Sequence, residues 1–281
     1  MPEASKALGA EVVLETINAN DLQPRITAAI QSGAGPDIFL FQDNWAQLYA
    51  NAVVDVSDVA SELAKAEGGF YDVFEPAAHV GGKWLAVPHS ILGNAVSYRK
   101  SWLKEAGKGK PYGQTLGHTF GDAPTGSPGT TPTTTGPMWT DIDHAPLPAG
   151  PAGAYLLFLN HQDAIMRYSK NQKLAKDLLR WIHKPENYGK WFTSQEGYSV
   201  GATKKWENDP MWGKLDEPLK MFRTAARNTR VFGYAGPSTA KATEAFSKYI
   251  VTDMYVKGVQ GMRAEDAVHW AEGELKKIYE A

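Results

Sequence analysis

The chain has 281 residues, 43% hydrophobic and 21% charged, with a formal net charge of −2, the size and balance of one large folded domain or two modest lobes. So small a charge offers no field to gather nucleic acid or an anionic membrane, and neither is expected as a partner. With no cysteine, disulfides, thiolate metal sites and cysteine nucleophiles are excluded, and no window approaches the roughly 20 apolar residues of a membrane span.

The opening residues, Met1-Pro-Glu-Ala-Ser-Lys6, do not read as a secretory leader. Glu11 to Thr16 reads as a strand. Asn20 or Asp21 then caps a helix with Pro24 in its first turn and Leu22, Ile26, Ala29 and Ile30 on one face. Gly33 ends that helix, and Asp37 to Phe41 is an apolar run of the kind expected for a strand covered on both faces. A strand, helix, strand order predicts a parallel pair with a right-handed crossover. A short helix follows from Ala46 to Asn51. Lys83 to Ser90 and Asn94 to Arg99 are further strands, with Pro88 placing the end of the first at an edge or in a turn.

From Gly121 to Pro137 the chain is rich in Pro, Gly and Thr and has no apolar periodicity, which predicts an extended connector. Asp141 to Pro148 reads as a short strand. Asn171 to His183 is an amphipathic helix with Leu174, Leu178, Leu179 and Ile182 at helical spacing. A further helix starts near Ser238 and carries Ala242, Ala245, Phe246, Tyr249 and Ile250. The last runs from about Ala264, with Ala267, Val268, Ala271, Leu275, Ile278 and Tyr279 in register.

No established catalytic or phosphate-binding pattern is present. The seven histidines form no HxxxH or HExxH pair, and strand alternation separates Asp141 and Asp143 from His144, so neither a metal nor a cofactor is expected. What remains is a set of polar and aromatic groups at strand ends and in loops. Asp43, Asn44 and Trp45 follow the strand at Asp37 to Phe41. A carboxylate and an amide bind neighbouring hydroxyls, and an indole stacks on the C–H face of a sugar ring. The carboxyl end of an α/β strand is where such sheets hold ligands. The alternative is that Trp45 is core and Asp43 caps the next helix. His89, Ser90 and Asn94, then Gln195, Glu196 and Tyr198, and Tyr234 in Gly233-Tyr-Ala-Gly-Pro237 complete the set, each with a purely structural alternative.

The chain resembles the periplasmic solute-binding proteins of ABC transporters, in the type 1 extracellular group that includes maltose-binding protein. The match lies in Ala28-Ala-Ile-Gln-Ser-Gly-Ala-Gly-Pro-Asp-Ile38 before the Asp43–Trp45 cluster, and in Gly82-Lys-Trp-Leu-Ala-Val-Pro88 leading to Asn94-Ala-Val-Ser-Tyr-Arg-Lys100. It continues in Tyr168 to Lys176, Trp191 to Tyr198 and the closing helices. The resemblance implies an α/β, two-lobe fold that grips a sugar or similar solute and delivers it to a membrane permease without turnover. It implies a periplasmic or extracellular location, and a monomer is expected. One lobe would comprise residues 1–104 and 154–212, the other 105–153 and 213–281. The second is reduced and mostly helical, because a Thr/Pro/Gly connector at about 124–140 stands where relatives carry a substantial segment. Ligand-binding positions would be Asp43, Asn44, Trp45, His89, Ser90, Asn94 and Tyr198, with Tyr234, Gly236 and Pro237 near the interlobe crossing. Two other classes stay open: a glycoside-processing enzyme using carboxylates such as Asp43 and Glu196, and a remnant with a structural or interaction role.

Overall fold

The computed structural model describes residues 1–93, 95–105, 141–146, 149, 151, 153–157, 159–231 and 238–280. Asn94, Tyr234, Gly236, Pro237 and the 124–140 connector lie outside them. Along the chain run α1 (Pro2–Leu8), α2 (Ala19–Ser32), β1 (Ile38–Gln42), α3 (Trp45–Leu48), α4 (Ser57–Glu67), α5 (Phe74–Ala78), β2 (His79–Val80), β3 (Lys83–Trp84), β4 (Val87–Leu92), β5 (Val96–Arg99) and α6 (Lys100–Glu105). Then come β6 (Ile142–Ala145), β7 (Leu156–Leu157), β8 (Asn160–Ile165), α7 (Gln172–Ile182), α8 (Pro185–Ser194) and β9 (Ser199–Gly201). The series closes with α9 (Met211–Lys214), α10 (Glu217–Lys220), β10 (Thr229–Arg230), α11 (Ala240–Ser247), α12 (Ile250–Val259) and α13 (Ala264–Tyr279). Among the described residues no helix is long and apolar enough to cross a membrane.

The main sheet has the order β1-β8-β4-β9, and each neighbouring pair is antiparallel. This corrects the expected parallel crossover. Residues 11–16 form no strand; Val13 and Leu14 lie exposed instead. An alternating run becomes a strand only when a neighbour takes up its backbone groups, and no described strand lies beside these residues. β1 is also less covered than its apolar run predicts. Phe39 and Phe41 are buried under Leu22, Ile26 and Ala29 of α2, while Leu40 on the opposite face is exposed.

Helix α2 begins at Ala19, earlier than the sequence suggests, so Pro24 lies inside it and not in its first turn, where its missing N–H removes one intrahelical hydrogen bond. Gly35, at φ +149°, follows because a Cβ there would lie 2.9 Å from Ala29 Cβ and 3.0 Å from the Tyr168 hydroxyl. Pro88 is not at a strand end. It lies inside β4, at a point where β4 pairs with β8 but not yet with β9, whose partners begin at Ser90. A residue without an N–H is tolerated on such a locally open side, and the β4–β8 register slips between Pro88 and Ser90.

Three apolar clusters surround the sheet. One gathers Phe74, Tyr188, Phe192, Trp206, Trp212 and Phe222. A second lies between α2 and β1. The third places Val59 of α4 and Ala175 and Leu179 of α7 on Val87 and Ile165. Helix α7 runs as the spacing predicts, with Asn171 and His183 as its flanking caps. The helix from Ser238 is interrupted: it stops at Ser247, Tyr249 takes a left-handed φ of 53°, and α12 begins at Ile250. Phe246 and Tyr249 are therefore exposed instead of sharing a buried stripe, as are Val268 and Tyr279 in α13.

Candidate functional site

The polar cluster begins where β1 ends. Asp43 adopts φ +49°, a left-handed conformation that only short polar side chains and glycine adopt readily. Its N–H donates to the Asn160 carbonyl at 3.0 Å, and its own carbonyl accepts from Gln162 Nε2 at 2.7 Å. The turn is thus pinned to the first residues of β8. Gln162 Nε2 also reaches Asn160 Oδ1. Both amides are completely buried, and Asp43 is 5% exposed.

Three atoms of this group, Asp43 Oδ1, Asn160 Nδ2 and Gln162 Oε1, are buried with no hydrogen-bond partner among the described residues. Buried polar atoms are nearly always paired, since leaving one bare costs about 1–3 kcal/mol. Burial raises the Asp43 pKa from 3.8 to about 7, against the opposing pull of the hydrogen bond to the Asn160 backbone. The group therefore combines an acidic oxygen, an amide donor and an amide acceptor with unspent capacity. That set complements a hydroxyl, which both gives and accepts a hydrogen bond.

Asn44 and Trp45 do other work. Asn44 Nδ2 donates to the Thr239 carbonyl at 3.0 Å, and the Thr243 hydroxyl donates to Asn44 Oδ1 at 2.6 Å. Asn44 thereby fastens α11 to the end of β1. Ser238 Oγ, one residue before Thr239, is also buried without a partner among the described residues. Trp45 is 8% exposed and meets Phe41 edge to face at 6.3 Å within the α2–β1 cluster. This is a core position, and the indole offers little face to a ligand.

His89 and Ser90 lie in β4 and not in a loop. Alternation along β8 puts Asn160 and Gln162 on one face and His161 and Asp163 on the other. His89 Nδ1 contacts Asp163 Oδ2 at 2.8 Å, and the Ser90 hydroxyl contacts His161 Nδ1 at 3.2 Å. The structure therefore brings His89 and Ser90 together with His161 and Asp163, across the sheet from the Asp43 cluster. His183 completes this second group, with Nε2 at 3.8 Å from Asp163 Oδ2. Burial tends to raise the Asp163 pKa, but the imidazoles of His89 and His183 hold it well below the usual carboxylate range. Burial pushes His183 down, and takes His161 to about 4 with help from the charge on His89. Tyr198 stands at the half-exposed end of β9, where its carbonyl accepts from the Gly93 N–H at 3.2 Å. Gln195 is half-buried, and Glu196 is exposed at φ +48°. Neither Tyr198 nor Glu196 is hydrogen-bonded through its side chain to the Asp43 cluster.

Asn160 and Gln162 escaped sequence reasoning. Their signal is the run Asn160-His-Gln-Asp163, polar on both faces, inside an otherwise apolar segment.

Comparison with known proteins gives this arrangement a class. Residues 3–140 match the family model of the bacterial extracellular solute-binding proteins. No curated protein sequence matches. Among solved structures, an ABC-transporter solute-binding protein from Agrobacterium radiobacter K84 in complex with ribitol superposes with a TM-score of 0.75 at 15% identity, covering 99% of this chain and 94% of that one. The sugar-binding protein MalE from Xanthomonas citri gives 0.70 at 12% identity, with 99% and 92% covered. Maltose-bound MalE3 of T. maritima gives 0.68 at 14% identity, with 99% and 96% covered. Residues 3–140 thus carry the sequence pattern of the bacterial extracellular solute-binding proteins, and the chain has the mixed α/β fold of periplasmic solute-binding proteins. Its first half carries the family's sequence pattern and its whole length carries the fold; at 281 residues it is shorter than a typical full two-lobe protein.

Proposed function

We propose that the protein binds a sugar or related polyol and hands it to a membrane permease, with Asp43, Asn160 and Gln162 as the hydrogen-bonding wall of its site. One observation carries this reading: Asp43, Asn160 and Gln162, at the paired ends of β1 and β8, each hold a buried polar atom with no hydrogen-bond partner among the described residues. A hydroxylated solute recovers the hydration it sheds only where nearly every hydroxyl finds a partner, and these groups supply partners already stripped of water. The turn at Asp43 adds support, since its backbone is pinned to Asn160 and Gln162 and so holds the carboxyl beside their amides. The ribitol and maltose held by the superposed structures are ligands of this chemistry.

The lobes proposed are residues 1–104 with 154–212 and 105–153 with 213–281. On that division Asn44 ties one lobe to the other through Thr239 and Thr243. Carriage without turnover fits a family of binding proteins, and export or secretion to the cell exterior fits the same family. Titration calorimetry against a panel of monosaccharides, oligosaccharides and linear polyols tests the proposal. We expect saturable binding to at least one polyhydroxylated solute, weakened by Asp43→Asn and by Asn160→Ala. A panel without binding, or binding indifferent to both substitutions, contradicts it. Chromogenic glycosides should show no turnover.

A further inference from the structure

On the opposite face of the sheet, the structure points to a second site. We infer that His89, Asp163 and His183 form a buried site for a divalent transition metal of the zinc type. The three donor atoms lie within 4.8 Å of one another. They come from three separate elements: His89 from the irregular step in β4, Asp163 from β8, and His183 from the residue that ends α7. The register slip after Pro88 is what turns the His89 ring toward Asp163, the re-aiming for which a bulge is suited.

The unpaired atom decides between a metal site and a simple ion pair. His89 already contacts Asp163 at 2.8 Å, which satisfies a histidine–carboxylate pair by itself. His183 is 6% exposed, and its Nε2 has no hydrogen-bond partner among the described residues. That nitrogen stands 3.8 Å from Asp163 Oδ2, too far for a hydrogen bond. Two ligands of one tetrahedral zinc, each bound at about 2.0–2.2 Å, sit roughly 3.3–3.5 Å apart, so the ion would draw the 3.8 Å pair slightly closer and part the 2.8 Å pair by about half an ångström, small rearrangements among three donors already within 4.8 Å. Two imidazoles and one carboxylate form a donor set favoured by zinc and its neighbours, with a fourth position open to water.

The surroundings fit the same role. The Tyr188 ring stacks on His183 at 5.3 Å and 21°, and Trp191 meets His89 edge-on at 4.7 Å. The Tyr188 hydroxyl donates to the His89 carbonyl. These contacts fix both imidazole planes, as the outer shell of a metal site does. The cation would also neutralise a carboxylate held in the interior, where an ion without a counter-charge is costly.

The test uses the whole chain, stripped with chelator and dialysed. Zinc titrated calorimetrically should bind at one equivalent and raise the thermal midpoint. Cobalt(II) in its place should give the intense visible absorption of a tetrahedral ion, abolished by excess zinc. His183→Gln, checked for folding by circular dichroism, should weaken zinc by more than about 100-fold and remove the midpoint rise. His269→Gln, on exposed α13, should change neither. If His183→Gln does not fold, the cobalt spectrum of the unaltered protein decides. The inference is overturned by no stoichiometric zinc binding, by an octahedral cobalt spectrum, or by binding that survives in folded His183→Gln.

Discussion

At the scale of single residues, Asp43 concentrates the tension between stability and function. Below about pH 3.8 its carboxyl is protonated whether the chain is folded or unfolded. From 3.8 to about 7 the unfolded chain ionises while the folded one keeps its proton. Stability therefore falls as pH rises through that window and levels off above it. Asp43→Asn removes the titration. We expect the variant to gain about 2–4 kcal/mol over the parent at pH 8 and almost nothing at pH 4, while losing solute affinity. Urea unfolding at the two pH values measures the first effect; an equal difference at both would refute the assignment. Trp45 belongs to a different category. Its 8% exposure and its contact with Phe41 make Trp45→Ala a cavity mutation costing about 3–5 kcal/mol, with solute affinity close to unchanged in whatever fraction remains folded. The sequence offered both roles for this indole, because an aromatic after a strand looks the same whether it faces ligand or core.

Among the elements, those carrying their own signal were legible. Asn171 to His183 announces a helix because its leucines recur at helical spacing, and the structure ends it within one residue of that reading at each side. Residues 11–16 have equally good strand composition but depend on a neighbour elsewhere in the chain, which no local pattern reveals. The strand order β1-β8-β4-β9 is hidden for the same reason: β8 intervenes between two strands that precede it in sequence. The candidate site inherits that difficulty. Asp43 was visible at a strand end, but its partners Asn160 and Gln162 become neighbours only through the pairing of β1 with β8. The short edge strand β9 supplies an element-scale test. A Cβ on Gly201 would lie 2.5 Å from Trp206 Cβ, both on well-anchored backbone. Gly201→Ala should therefore overpack this corner and cost about 1–3 kcal/mol in denaturant unfolding, whereas Gly213→Ala, which meets nothing within 4 Å, should not.

For the molecule as a whole, one asparagine links its beginning to its end. Asn44 holds the Thr239 carbonyl and the Thr243 hydroxyl across sequence separations of 195 and 199 residues. Helices α12 and α13 pack on each other through Ile250, Ala271 and Ile278, a small cluster of their own. Removing the amide should loosen the C-terminal helices more than the central sheet. We expect Asn44→Ala to cost about 1–3 kcal/mol and to speed amide exchange in α11 while β8 and β4 keep their protection. Uniform acceleration across both regions would show that the amide stabilises the fold globally and not as a local fastening.

The bare oxygens and amide at the head of the sheet also foretell the heat of association. A guest that enters there forms contacts without first breaking any of the host's own, and it displaces little hydrocarbon surface. Its capture should be exothermic, with a small heat-capacity change.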